Sequence, residues 1–356
     1  MISRRSIFAI IACGDYNGAL RLQEAGASRR LTTTAGTASG SFSVSNGQII
    51  DPHGSRFVAR GINIHNGTIN TAVSDASCKP LLTRFPGINM VRIAIEDNYN
   101  ADSDPRLQNA VTWLTAKGIV VQFGNYTITT SVATGQNLTD FCSMLTRMNK
   151  KYKDNPYVWY STCNEPSDQH TYAGATMDEQ KAVYNAIRAV SSTAMLGLLD
   201  PWTNATTPSI YTTMTNVYWD YHCYPWTTRQ STNPVDYENW IRNRVDYLQT
   251  FKTADGVPPA LNGEFGNSTT GYSHDANYPK SGEANVTGCI TEGNKYSGWV
   301  AWLWFWPGNA YISDQVHDDA LVDERSVNGV PTVYPLVHPY GTMIAGFIGS
   351  TPPPLP

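Results

Sequence analysis

Eight short apolar runs, separated by stretches of helical period, constrain this chain more than any other feature. They are FVARGINI (57–64), NMVRIAI (89–95), GIVVQFGNY (118–126), YVWYSTC (157–163), MLGLLD (195–200), VYWDYHCY (217–224), PPALNGEF (258–265) and GWVAWLWFW (298–306). The runs are nearly continuous rather than alternating, as expected of strands covered on both faces. The intervening periodicity predicts helices over 105–117, 138–152, 177–190 and 235–251, the first with Pro105 in its first turn. Strands alternating with helices imply parallel βα units, and eight of them imply a closed (β/α)8 TIM barrel rather than an open doubly wound sheet. Ahead of the first run, SFSVSNGQIIDPHGSRFVARG has alternation and a glycine turn, which predicts a short N-terminal β-hairpin capping the barrel floor.

Composition narrows the function classes. Of 356 residues, 41% are hydrophobic and 15% charged, enough apolar material for a full core. The net charge is −4 without a basic stripe, which argues against a nucleic-acid partner and for a neutral, polymeric one. The 10 Trp and 20 Tyr offer amphipathic rings for a groove that takes flat, hydroxylated ligands. No uninterrupted apolar stretch is long enough to span a membrane. Beyond Cys13 the cysteines are Cys78, Cys142, Cys163, Cys223 and Cys289, an odd number, so at least one thiol is free. No CxxC pair, HExxH, P-loop, GxSxG elbow or GxGxxG is present, so no metal or cofactor is expected. The oxygen-rich EDNYNADSD (96–104) lacks the glycine of an EF-hand loop and reads as a solvated loop.

Two of the eight runs end in a carboxylate. The fourth stops at Asn164-Glu165-Pro166, and the seventh at Gly263-Glu264-Phe265-Gly266. An unpaired Glu at the end of a buried strand is costly unless it has a task. In barrels, catalytic groups project from the C-terminal strand ends, so both acids are expected to face one mouth. Two convergent carboxyls are the minimum equipment for glycoside hydrolysis. One must carry a proton for the leaving oxygen, so burial and a neighbouring negative charge are expected to raise its pKa. The other must be ionised, a form that a nearby arginine favours.

In NMVRIAI, STCNEP, HCYPW, LNGEFG and GWVAWLWFW the chain resembles the cellulase and mannanase group of glycoside hydrolase family 5, over residues 42–345. The resemblance implies that Glu165 is the general acid/base, that Asn164 grips the sugar 2-hydroxyl and that Glu264 is the nucleophile. It implies that Arg92 keeps the nucleophile ionised and that His222 and Tyr224 are the sixth-strand pair, the tyrosine facing the nucleophile. Trp302 would be the platform under the sugar, with Trp304 as the alternative because period-two alternation puts it on the same face. His65 would contact a sugar on the non-reducing side. One departure stands out: Gly124 occupies the place where the family commonly has a histidine, with Asn125 beside it as a compensating group.

Several expectations follow. The chemistry is a retaining double displacement, with carboxyls about 5–5.5 Å apart. The enzyme is a secreted, monomeric endo-β-1,4-glycanase on β-glucan first and β-mannan second, without cofactor and without a membrane in its mature form. A carbohydrate-binding protein on an idle barrel is a second class, disfavoured by the two convergent acids. A transglycosylase is a third, differing only in whether water or sugar reaches the intermediate. Residues 1–40 read as leader and linker, because MISRRSIFAIIAC resembles a secretory signal, with IIAC like a lipoprotein box and Cys13 as its lipidated residue. Residues 41–350 are the expected catalytic domain, and 351–356, within TPPPLP, a proline-rich tail.

Overall fold

A computed structural model describes residues 40–95, 100–125, 133–165, 173–200, 208–267, 277, 280–304, 321–322, 325–327, 330–333, 336 and 340–349. The expected leader with Cys13, the residue Pro166 and the proline-rich tail lie outside the described residues.

The eight apolar runs form eight parallel strands: β1 (Ala59–His65), β2 (Met90–Ile95), β3 (Val120–Asn125), β4 (Val158–Cys163), β5 (Leu196–Leu199), β6 (Val217–Cys223), β7 (Ala260–Phe265) and β8 (Gly298–Ala301). Each pairs with the next, and β8 pairs with β1, which closes the barrel. Every residue of β2, β3, β4 and β7 is buried, which explains why their sequences do not alternate. The helices Pro105–Thr115, Gly135–Tyr152, Ala173–Arg188 and Pro234–Leu248 match the four anticipated from periodicity. Asp104 caps the first of these, accepting from the Arg106 N–H at 2.8 Å, and Asn233 caps the last, accepting from the Val235 N–H at 3.2 Å. Helices Lys280–Gly293 and Tyr340–Gly349 were not anticipated. Between β5 and β6 the described residues hold only a 3-10 turn, Pro208–Tyr211.

The barrel interior is layered, because side chains two apart on a strand share a face. At the floor, Met90, Val120, Trp159, Tyr218, Leu261 and Val300 pack together. The N-terminal segment covers them. It is a three-stranded antiparallel sheet (43–45, 48–50, 56–57) rather than a simple hairpin. Its Phe42, Val44, Ile49 and Phe57 join the floor cluster, and Phe42 sits edge-on to Trp159 at 4.9 Å. One step up each strand, the interior turns polar: Arg92 follows Met90, Gln122 follows Val120 and Asp220 follows Tyr218. Gln122 donates to Asp220 at 3.0 Å. Another step brings Ala94, Gly124 and His222 to the C-terminal mouth. The apolar floor is a rigid base, and the polar middle layer holds the mouth in place.

The acidic loop 96–104 is spent on structure where it is described. Asp102 pairs with Arg147 at 2.8 Å, and Asp104 caps its helix. The five cysteines from Cys78 onward are free thiols, and Cys163 and Cys223 are buried as expected of packing residues. Among the described residues no helix is long and apolar enough to cross a membrane.

Candidate active site

Glu165 and Glu264 meet at the barrel mouth. Glu264, on β7, is 2% exposed, and Glu165, just past β4, is 34% exposed. With His222 they form a cluster whose carboxylate oxygens and ring nitrogen all lie within 4.8 Å of one another. His222 Nδ1 is 2.6 Å from Glu165 Oε1 and 3.5 Å from Glu264 Oε2. Glu165 has φ of 32°, a left-handed backbone unusual for a residue with a side chain. That conformation swings the chain off the strand line and leaves the carboxyl at the rim.

Arg92 organises the centre from below. Its guanidinium donates to Glu264 Oε1 at 2.5 Å, to Asn164 Oδ1 at 2.6 Å and to Asn63 Oδ1 at 2.9 Å. Asp220 Oδ2 lies 3.9 Å from its Nε. Arg92 and Asp220 are fully buried, so this charge is held where a lone ion would be untenable. Tyr224 OH donates to Glu264 Oε2 at 3.0 Å. Both Glu264 oxygens therefore act as acceptors, the bonding pattern of an ionised carboxylate.

The proton sits differently from the sequence expectation. Burial, the largest influence on Glu165, raises its pKa, but the hydrogen bond and charge of His222, aided by Arg92, outweigh it and hold the carboxyl below its usual value. Burial acts against the charged form of His222, yet Glu264, Glu165 and Asp220 together lift it above the ordinary histidine value. Both directions favour the imidazole over the Glu165 carboxyl as the place for a shared proton. The expectation of a raised Glu165 omitted this histidine, 57 residues away in sequence.

The remaining expected site residues divide. Asn164 is buried against Arg92, and its N–H donates to Asn125 O at 2.9 Å. His65 ends β1, and its Nδ1 accepts from the Gly67 N–H at 3.2 Å. Trp302 packs with Ala94, Tyr224 and Leu303 at the mouth and is 6% exposed. Trp304 does not belong to the site. It is fully buried in the main core, edge-on to Phe85, and donates to Thr71 at 2.9 Å. β8 ends at Ala301, so the period-two alternation that placed Trp304 beside Trp302 does not extend that far.

Sequence reasoning missed three neighbours. Asn63 and Asp220 are the supports of Arg92; each is a polar residue inside a strand-like run, which was the available signal. Trp226 stacks on Tyr224, ring centres 4.4 Å apart and planes 11° from parallel, and extends the aromatic wall. Gly124 now has a physical account. A Cβ there would lie 3.0 Å from Arg92 Cζ, so the guanidinium occupies the space a side chain would need.

Glu165, His222 and Glu264 are also the one group of potential metal ligands close enough together among the described residues. The Arg92 cation already bonds Glu264 at 2.5 Å, which opposes a second cation in the same place.

Comparisons with known proteins agree with this fold. A family model described as cellulase (glycosyl hydrolase family 5) matches residues 50–306. No curated sequence matches significantly. Among solved structures, the catalytic domain of a Thermobifida fusca endoglucanase superposes with a TM-score of 0.62 at 17% identity, covering 87% of this chain and 97% of that one. A Saccharophagus degradans β-glucanase in complex with cellotetraose gives 0.62 at 16%, covering 87% and 93%. A Thermomonospora fusca β-mannanase in complex with mannohexaose gives 0.61 at 18%, covering 88% and 98%. With the barrel, the two carboxylates and a family match across most of the chain, this protein belongs to glycosyl hydrolase family 5 and is a glycoside hydrolase.

Proposed function

We propose that the chain is a retaining endo-β-1,4-glycanase that cleaves a β-glucan, with β-mannan as the second substrate to consider. One observation carries the retaining part: carboxylate oxygens of Glu165 and Glu264 lie within 4.8 Å. So close an approach favours attack by a carboxylate over the wider pairing, about 6.5–9.5 Å, that admits a water. In the first step a Glu264 oxygen bonds to the anomeric carbon while the glycosidic C–O bond breaks, and the leaving oxygen takes a proton from Glu165. In the second, Glu165 as a carboxylate takes a proton from water, whose oxygen attacks the same carbon and releases Glu264. Asn164, held by Arg92, grips the sugar 2-hydroxyl, and Trp302 supports its ring.

Proton supply follows from the Glu165–His222 contact. The two groups lie 2.6 Å apart, and moving a shared proton from imidazole to carboxyl would leave the net charge of the site unchanged. A sugar seated at the mouth covers the exposed third of Glu165. Further burial disfavours its ionised form and draws the proton onto it at the moment it is needed.

The glucan reading rests on the cellulase family model and the glucanases among the structural neighbours. The mannan reading rests on a β-mannanase neighbour of nearly equal similarity. We place the enzyme's action outside the cell on the strength of its signal-like first residues. A panel of carboxymethylcellulose, mixed-linkage β-glucan and β-mannan, read by product length, tests the assignment. Short oligosaccharides appearing early from β-glucan, and none with Glu264→Gln, are expected. Faster release from mannan would reassign the substrate, and a Glu264→Gln enzyme that still turns over would remove the proposed nucleophile.

A further inference from the structure

Glu179 is a fully buried carboxyl that the chemistry above does not use, and it lies directly behind the residues that present Glu165. The end of β4 is irregular. Against β3, Phe123 pairs with Tyr160 and Asn125 with Cys163, so two steps on β3 oppose three on β4. This is a β-bulge, a device that re-aims the side chains beyond it. On the other side, β4 pairs with the short β5 only at Tyr160–Leu196 and Ser161–Gly197. Side chains replace the missing ladder. Thr162 Oγ1 accepts from the Leu199 N–H at 2.8 Å, and Gln180 donates to Leu199 O at 2.6 Å while accepting from Tyr211 OH at 2.7 Å. The Cys163 N–H, left over at the bulge, donates to Glu179 Oε1 at 3.0 Å. The next N–H, that of Asn164, goes the other way, to Asn125 O at 2.9 Å.

We infer that Glu179, reaching in from the helix Ala173–Arg188, is a positioning residue for Glu165. It clamps the bulged Cys163 N–H and so sets the direction in which Asn164 and Glu165 leave the strand. The Glu165 backbone, in the left-handed region, has little intrinsic preference for that direction and needs an outside restraint. Burial pushes the Glu179 carboxyl up to about 8, so at neutral pH the clamp is a neutral acid accepting through one oxygen. A glutamine amide can make the same bond. A leucine fills similar volume and cannot.

The inference rests on the acid/base reading of Glu165, and its test separates the two. Glu179→Gln and Glu179→Leu are compared with wild type by two measurements. The first is the NMR titration of the His222 ring, assigned by its loss in His222→Asn, which needs no substrate. The Gln variant is expected to titrate as wild type does. In the folded Leu variant the His222 pKa is expected to drop, because Glu264 and Asp220 still raise it but the hydrogen bond and charge of Glu165 are lost. The second compares kcat/KM on phenyl and 2,4-dinitrophenyl β-cellobiosides, and on the matching β-mannobiosides. Glu179→Leu is expected to lose roughly 10²-fold on the phenyl glycoside, which needs the acid, and far less on the dinitrophenyl one, which does not. An unmoved His222 titration in Glu179→Leu overturns the inference, as does a Gln variant as impaired as the Leu variant. If His222 shifts as expected but both aryl glycosides lose equally, the clamp stands and the acid role of Glu165 is what fails.

Discussion

Arg92 is the residue on which most of the site depends. Four polar partners from separate segments converge on it, and two of them, Glu264 and Asp220, are buried carboxylates. Replacing it by Met removes their shared counter-charge, and breaking a buried pair from one side costs about 3–5 kcal/mol. Arg92→Met is therefore expected to lower the melting temperature and to cut kcat/KM by at least roughly 10³-fold, in thermal melts and initial rates. An active, equally stable variant would show that the web is ornamental. His222 supplies a second prediction. Its pKa is raised in the folded site, so the proton it holds, and the stability that goes with it, are fully present below the ordinary 6.5 and are lost as pH rises through the raised value. The basic limb of kcat/KM should accordingly lie above 6.5 and move to lower pH in His222→Asn, where Glu165 must hold the proton alone. A limb that stays in place would mean that His222 does not share that proton. The Arg92–Glu264 pairing was expected from the family resemblance, but the contacts of Arg92 with Asn63 and Asp220 and of His222 with Glu165 were not. Those further contacts depend on strand register across the whole barrel.

At the level of elements, legibility followed the strength of the local pattern. The eight strands were readable because a strand buried on both faces leaves an unbroken apolar run. The helix Lys280–Gly293 was not, because KSGEANVTGCITEG carries three glycines and few strong helix formers. Contacts from elsewhere explain that composition. A Cβ on Gly288 would lie 2.5 Å from Pro234 O and 2.7 Å from Tyr237 Cβ, and one on Gly282 would collide with Asn267. The helix gives up propensity to lie close against Pro234–Leu248. Gly288→Val is thus expected to destabilise the fold by about 1–3 kcal/mol through overpacking, measured by urea unfolding. It should leave the basic limb of the pH profile where it was. Unchanged stability would show that the close approach is not required. Trp304 illustrates the opposite error. Alternation offers it as the alternative to Trp302, but β8 ends three residues earlier and the Trp304 ring lies in the core.

Across the molecule, polarity is graded along the barrel axis. The floor is an apolar plug sealed by the N-terminal sheet, the middle is a charged web centred on Arg92, and the mouth carries two acids and an aromatic wall. This gradient lets a stable fold carry a site full of buried charge, because the web is anchored from below. The fold class and both acids were readable from the chain. The vertical order was not, since it appears only when strands far apart in sequence are brought into register. The central claim is that Glu165 and Glu264 stand too close together for water to act between them, and product stereochemistry tests it most directly. Proton NMR of the first sugar released from a β-linked oligosaccharide is predicted to show the β-anomer before mutarotation. The α-anomer appearing first would contradict the account.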